Sequence, residues 1–297
     1  MKTKLLIGSL ACLAALSLGA APLTESTFTE IIHEVNTLSD DGSTTPSQVN
    51  QLLKAPQRVR TGPQSRAELT APDHTITRVG ANTVFSFADS GRTVNLEQGS
   101  LLFQAPKGIG GGTIKSGGAS AAVLGTTLIV SATQHGGFKV ILLEGKGKIL
   151  LPNGKYAIVR AGQEVFVLAD AKGFSKVFDV NLDKLVHGSQ LVGGFSHELP
   201  SLQLILAAIR HQNALLASGG GIDTGIPPEF FIPLPFPGNG LGVLDPGSYQ
   251  SAAHPPLTPA QISTLNFFQF STFQPPPGSS RGGVGGRVNF PVTGPGG

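Results

Sequence analysis

The segment GRTVNLEQG, residues 91–99, sets a pattern that two later segments repeat, GFKVILLEG at 137–145 and GKYAIVRAG at 154–162. Each segment carries two apolar residues two positions apart between glycines that are eight positions apart. Side chains alternate across a β-strand, so the apolar pair points to one face, and the glycines permit turns at both ends. Each unit is therefore predicted to be one short strand. The units start 46 and then 17 residues apart, which excludes a perfectly regular solenoid and leaves a twisted β-roll or irregular β-solenoid.

The chain around these units has the same character. From Arg66 to Val180, short β-branched runs are interrupted every eight to twelve residues by Gly, Pro, Asn or Asp, a pattern typical of an all-β domain. Residues 28–38 have apolar residues at helical spacing but are rich in Thr, Ile and Val, so we favour a strand there. Residues 201–218 predict one C-terminal helix, packed against the β-domain or used to dock a partner.

Composition divides the chain of 297 residues, which holds 40 Gly and 22 Pro, with about half of these beyond residue 218. We predict a β-domain over residues 21–180 and a connector with the helix over 181–218. Residues 219–297 are predicted to be a Gly/Pro-rich, low-complexity, disordered tail. The tail also contains a phenylalanine cluster, at Phe267, Phe268, Phe270 and Phe273, which is either adhesive or docked back on the domain.

Residues 1–20 have the features of a secretory signal peptide. Two lysines precede an uncharged apolar run of about fourteen residues, Leu5 to Leu18, and small residues follow. The run is short for a permanent membrane anchor. We therefore expect a periplasmic or secreted protein. Cleavage would remove the only Cys and the only Met, so disulfides are excluded, and the scattered His residues predict no metal site and no cofactor.

No motif of the sequence predicts catalysis. The segment GIGGGTIKS, residues 108–116, has Ile114 where a phosphate-binding loop requires Gly. Residues 194–197, GFSH, lack the closing Gly of a nucleophile elbow. Strands separate the carboxylates Asp89, Glu97, Glu144 and Glu164. We expect a protein that is not an enzyme.

Positive charge concentrates between Lys107 and Lys176, where nine Lys or Arg face three acids. One interpretation is a surface for an anionic polymer, such as an acidic polysaccharide or lipid head groups. The other is that these lysines only solvate the outer faces of strands. Nucleic acid is not expected as a partner, because the export signal separates the domain from it. The lysines proposed for the anionic-polymer face are Lys139, Lys146, Lys148 and Lys155.

Several consecutive motifs resemble the FecR domain in order and spacing. They are VRTGPQSRAEL at 59–69, ITRVGANT at 76–83, VLGT at 123–126, LEG at 143–145 and AGQ at 161–163. The resemblance covers roughly residues 28–180 and implies an all-β, twisted, solenoid-like fold. We expect its residues to be structural, with Arg66, Glu68 and Thr126 alternating with buried neighbours. The motif residues singled out are Thr61, Gly62, Ser65, Arg66, Gly80, Gly125, Thr126, Glu144, Gly145 and Gly162.

In the founding regulators of that family, the domain senses an outer-membrane receptor, and a transmembrane helix and a cytoplasmic anti-sigma segment pass the signal inward. Here only four residues precede the apolar run, so the expectation is a free extracytoplasmic FecR-like module without an anti-sigma segment. The resemblance implies a non-enzymatic binding or scaffold module of the cell envelope, with an envelope protein or anionic polysaccharide as partner. The alternative is a sensor that acts through a separate membrane partner.

Overall fold

A computed structural model of the chain describes residues 21–133, 137–168 and 172–218. The predicted signal peptide at 1–20, the predicted tail at 219–297 and its phenylalanine cluster lie outside these residues. Within them the chain forms seventeen strands followed by three helices. The all-β prediction is confirmed.

The first nine strands, in chain order, are β1 (Glu25–Ile32), β2 (Val35–Leu38), β3 (Thr44–Pro46), β4 (Leu52–Lys54), β5 (Arg58–Thr61), β6 (Arg66–Thr70), β7 (Ile76–Val79), β8 (Val84–Phe87) and β9 (Thr93–Gln104). The next eight are β10 (Gly112–Ser116), β11 (Ala119–Val123), β12 (Thr127–Ala132), β13 (Phe138–Glu144), β14 (Lys146–Leu150), β15 (Tyr156–Arg160), β16 (Gln163–Val167) and β17 (Phe178–Asp179). The helices are α1 (Leu182–Gly188), α2 (Gln190–Gly193) and α3 (Leu202–Ala217).

The strands form two layers that share β9. Layer A has the order β4-β1-β6-β7-β9-β12-β13-β16-β17, and layer B has the order β3-β2-β5-β8-β9-β10-β11-β14-β15. The pairing of β9 with β10 is parallel, and all other pairings are antiparallel. From β10 onward the chain passes two strands at a time from one layer to the other, which makes the arrangement roll-like.

Strand β9 carries the chain from one layer to the other, and Gly99 lies at the transition. Residues before Gly99 pair with β8 and β10, and residues from Gly99 onward pair with β7 and β12. The first repeat unit is therefore longer than the single short strand predicted for it. The other two units are single strands, β13 and β15, as predicted.

The main core lies between the layers. The apolar pairs of the repeat units are part of it: Val94 and Leu96 from β9, Val140 and Leu142 from β13, and Val159 from β15 are all at most 2% exposed. The sequence predicted this burial, because side chains alternate between the two faces of a strand and these residues all lie on the inner face.

The helices cover the outer face of layer A. Leu102, Ile141 and Leu143 point away from the main core and pack with Leu185 of α1 and Ile205 of α3 in a second apolar cluster. Strands β12 and β13 are consequently buried at every position. The helix predicted at 201–218 is confirmed as α3, and it packs against the β-domain. Helices α1 and α2 were not predicted, because segments of seven and four residues are too short to show a helical period.

Residues 28–38 form strands, as favoured. They are the end of β1 and the whole of β2, in different layers, with His33 at φ 62° between them. The apolar spacing that looked helical arises from this reversal. Among the residues described, no helix has the length and apolar character needed to cross a bilayer.

Candidate functional site

The first group of FecR-like motif residues ties turns of the two layers together. Thr61 Oγ1 donates to Gly80 O at 2.6 Å and accepts from Thr83 N at 2.9 Å. Gly62 N–H donates to Glu34 O at 2.9 Å, and Ser65 Oγ accepts from Glu34 N at 3.0 Å. These contacts satisfy turn backbone groups that would otherwise be buried without partners. These hydrogen bonds hold the turns in place.

The second group lies at the other end of the motif series, where β12, β13 and β14 meet. Thr126 Oγ1 donates to Lys146 O at 3.2 Å, and Gly145 O accepts from Ala161 N at 3.1 Å. Gly162 N–H donates to Leu142 O at 2.9 Å. A Cβ on Gly125 would lie 2.8 Å from Lys107 Cα, so only glycine fits there. The hydrogen bonds of this junction therefore hold the strand ends together.

Glu144 is the buried acid of this second junction. It is 5% exposed, and its Oε1 lies 3.2 Å from Thr127 Oγ1. Burial raises the pKa of Glu144, while the hydrogen bond from Thr127 and the charge of Lys107 act in the opposite direction. A carboxyl whose pKa is higher in the folded chain binds protons more readily there than in the unfolded chain. Its contribution to stability is therefore present at low pH and is lost as pH rises through the folded pKa.

Glu144→Gln should therefore make the protein progressively more stable than wild type as pH rises from about 4.5, the ordinary pKa of a glutamate, to 7. The amide can still accept from Thr127, and it carries no charge to desolvate. Chemical denaturation across this pH range measures the effect. Glu97→Gln, on a half-exposed carboxylate, is the control. An unchanged pH dependence in Glu144→Gln would contradict the assignment.

Arg78 anchors the helical segment on layer A, a role the sequence did not reveal. It is 0% exposed, and its Nε lies 2.8 Å from Glu68 Oε2. Its Nη1 donates to Val192 O at 2.7 Å, its Nη2 donates to His197 O, and its guanidinium carbon lies 4.5 Å from the Phe195 ring centroid. Burial lowers the pKa of Arg78, and the Glu68 carboxylate opposes that shift. We call this cluster the Arg78 anchor.

The burial of two motif residues corrects one expectation. Glu68 and Thr126 do not merely alternate with buried neighbours, because they are themselves buried, at 4% and 0% exposure. Glu68 accepts from Thr29 Oγ1 at 2.8 Å and faces Arg78 across the β6–β7 pair. Arg66, on the same strand, is half-buried, and burial lowers its pKa against the opposing charge of Glu30. To predict the Glu68–Arg78 ion pair from the sequence, one would have needed the register in which β6 pairs with β7.

The predicted anionic-polymer face divides into two parts. Lys146, Lys148 and Lys155 are exposed on β14 and the turn that follows it. Lys139 was wrongly included. It lies on β13, an interior strand of layer A whose seven residues are all buried, and it is 1% exposed with Nζ 5.9 Å from the Phe166 ring centroid.

The exposed lysines belong to a mixed surface on layer B that we call the basic face. It consists of Lys146, Lys148 and Leu150 of β14 with Tyr156, Ile158 and Arg160 of β15. Cross-strand pairs join Lys146 to Arg160, Lys148 to Ile158 and Leu150 to Tyr156. Tyr156 is 60% exposed, and Lys148 Nζ lies 4.3 Å from its ring centroid. Sequence reasoning found the lysines but missed the aromatic and apolar side chains among them, although their two-residue spacing places them on one face.

A groove of about 480 Å³ lies beside the basic face, between the β14–β16 strands and α3. Lys146 and Arg160 line one side, and Ala208, His211 and Leu215 of α3 line the other. No three His, Cys, Asp or Glu side chains come together as a metal site within residues 21–133, 137–168 and 172–218. The absence of enzymatic activity stays a prediction.

Comparison with known families agrees with the motifs. Residues 57–146 match the family model described as FecR protein. The matched residues lie within the segment, roughly residues 28–180, where the motifs resemble the FecR domain. No curated protein matches the chain.

Two solved structures resemble part of the fold. Both are crystal structures of a "putative anti-sigma factor" from Parabacteroides distasonis ATCC 8503. The first is 18% identical, with a TM-score of 0.38, and the match covers 52% of this chain and 75% of that one. The second is 15% identical, with a TM-score of 0.37, covering 53% and 91%. Similarity at this level carries no argument about function.

Proposed function

We propose that this chain is an exported, non-enzymatic FecR-like module of the cell envelope that binds a partner through the basic face. The predicted signal peptide supports a periplasmic or secreted location. The motif residues support a role other than catalysis, because their side chains are used to hold turns and strand ends. The partner is an anionic polysaccharide or an envelope protein. The proposed binding involves no metal, no cofactor and no nucleic acid.

The main support for the proposal is that the outer faces of the two layers differ in the exposure of their apolar side chains. Helices α1 to α3 cover layer A through Leu102, Ile141 and Leu143. The basic face of layer B instead presents Tyr156, Ile158 and Leu150 at 60%, 40% and 38% exposure. Exposed apolar side chains grouped among cations are characteristic of an interaction surface.

The chemistry of the basic face favours an acidic polysaccharide. Lysine ammonium groups attract carboxylates, and a Tyr ring offers a flat apolar surface to the C–H face of a sugar. Lys148 Nζ lies over one face of the Tyr156 ring, 4.3 Å from its centroid, so a saccharide unit packed against the other face or the edge of the ring would lie near the ammonium group. Long-range attraction of this kind is screened by salt, and binding should weaken as ionic strength rises.

Binding of the full chain to polygalacturonate, an acidic polysaccharide probe, and to envelope extract tests the proposal. Lys148→Glu and Tyr156→Ala should each weaken binding about tenfold, because each removes one of the two side chains that are proposed to contact the saccharide. Lys54→Glu makes the same charge change at an exposed position of β4 in layer A and should leave binding nearly unchanged. Equal losses in Lys148→Glu and Lys54→Glu, or no binding of either probe above background, would overturn the proposal.

A signalling role is the second candidate, and the FecR family match favours it. In that case the domain relays receptor occupancy through a separate membrane partner. A deletion strain should then change its transcriptome under iron or carbohydrate challenge. An unchanged transcriptome would remove this candidate while leaving the binding module intact.

A further inference from the structure

Two side chains of like charge line the groove between the β14–β16 strands and α3. Lys146 and Arg160 lie directly opposite each other across the β14–β15 pair, and both are exposed. Like charges in directly opposite positions of an antiparallel pair destabilise it. Among the residues described, neither side chain makes an ion pair with an Asp or Glu. An anion bound between them would turn this repulsion into attraction.

The carboxylate of Asp179 also lines the groove, and its Oδ1 accepts from Gln163 Nε2 at 3.0 Å. The same Gln163 uses its Oε1 to accept from Arg160 N at 3.1 Å, which holds the end of β15 in place. These hydrogen bonds hold the backbone at the end of β15, and among the residues described Asp179 makes no ion pair with Lys146 or Arg160.

The opposite wall is largely apolar and is also held in place. Ala208, Leu215 and Leu216 of α3 contribute to it. Gln212 of α3 donates to Val180 O at 2.7 Å and accepts from Leu182 N at 2.9 Å, so the helix is fixed to the chain that leaves β17. Pockets for small organic ligands typically have volumes of 300–1,000 Å³, and this groove has about 480 Å³.

We infer that this groove is a binding site for a small organic anion with an apolar body, such as an alkyl carboxylate. The anionic head would lie between Lys146 and Arg160, and the apolar body would lie along Ala208 and Leu215. The inference goes beyond the proposed function, because it assigns a second site with different chemistry. The two sites share Lys146 and Arg160.

Octanoate is the probe, and its binding to the full chain is measured by isothermal titration calorimetry. In a parallel NMR titration, the backbone amide signals of Gly145 and Gln163 should shift. Octylamine has the same apolar chain and the opposite charge, and it should not bind. Affinity should fall about fourfold for each methylene removed from the carboxylate, as expected for burial of each group. Binding of octylamine equal to that of octanoate, or no perturbation of the two amides, would overturn the inference.

Variants with matched controls locate the site. Arg160→Glu should weaken octanoate binding about tenfold or more, whereas Lys155→Glu, an equal charge change on the turn outside the groove, should not. Ala208→Phe should fill the groove and block binding without changing charge. Ala207→Phe, on an exposed position of α3, should leave it intact. Unaltered binding in both Arg160→Glu and Ala208→Phe would overturn the site.

The same variants separate this inference from the proposed function. Ala208→Phe should lose octanoate and keep polygalacturonate, and Tyr156→Ala should do the reverse. Loss of polysaccharide binding with octanoate retained would leave this site standing and remove only the basic face.

Discussion

Arg78→Ala should lower the free energy of unfolding by about 3–5 kcal/mol, the cost of leaving a buried carboxylate without its partner. Arg78 is 0% exposed and Glu68 4% exposed, and their ion pair spans 2.8 Å. The substitution would also leave the carbonyls of Val192 and His197 without their donor. Denaturation in urea followed by circular dichroism measures the loss, since the chain has no Trp.

Arg58→Ala is the matched control for this prediction. It breaks another Arg–Glu pair, with Glu97 at 3.4 Å, but both side chains are about half exposed. Exposed pairs contribute about 1 kcal/mol or less, so this variant should stay close to wild type. The double variant Arg78→Met with Glu68→Leu should recover part of the stability lost in Arg78→Ala, because it removes the unpaired carboxylate but leaves the carbonyls of Val192 and His197 without a donor. A loss in Arg78→Ala no larger than in Arg58→Ala would contradict the Arg78 anchor.

Gly99→Ala should destabilise by about 3 kcal/mol or more, because backbone strain and overpacking add. Gly99 has φ +90°, and a Cβ there would lie 2.2 Å from Thr83 Oγ1 and 2.4 Å from Thr83 Cα. Thr83 cannot yield easily, since its Oγ1 accepts from Ser100 N at 2.9 Å. The same denaturation assay measures the effect.

Gly91→Ala tests whether close approach, and not positive φ alone, is responsible. Gly91 begins the same repeat unit at φ +71°, and a Cβ there would meet nothing within 4 Å. Strain alone should cost about 1 kcal/mol. Equal losses at the two glycines would contradict the close approach of Gly99 to Thr83.

The sequence predicted those features that depend on local alternation and on turns. Val94, Val140 and Val159 enter the core because each lies on the buried face of a strand between two turns. α3 was predictable because sixteen residues are enough to display a helical period. The exposed lysines of β14 were predictable because polar residues alternate there with Gly147 and Ile149.

The features that the sequence did not predict depend on contacts between distant segments. Lys139 alternates with apolar neighbours just as Lys148 does, and only the position of β13 inside layer A buries it. Arg78 and Glu68 become partners through the β6–β7 register, and the carbonyls that Arg78 binds lie more than a hundred residues away. The groove likewise depends on where α3 lies against β14 to β16.

Position-specific photocrosslinking in intact cells tests the central claim most directly, that the basic face binds the envelope partner. A photoreactive amino acid would replace Tyr156 on layer B in one full-length chain and Leu204, an exposed residue of α3, in another. We expect the Tyr156 position to crosslink to polysaccharide or to a defined envelope protein, and the Leu204 position to remain uncrosslinked. Crosslinks at Leu204 with none at Tyr156 would contradict the account.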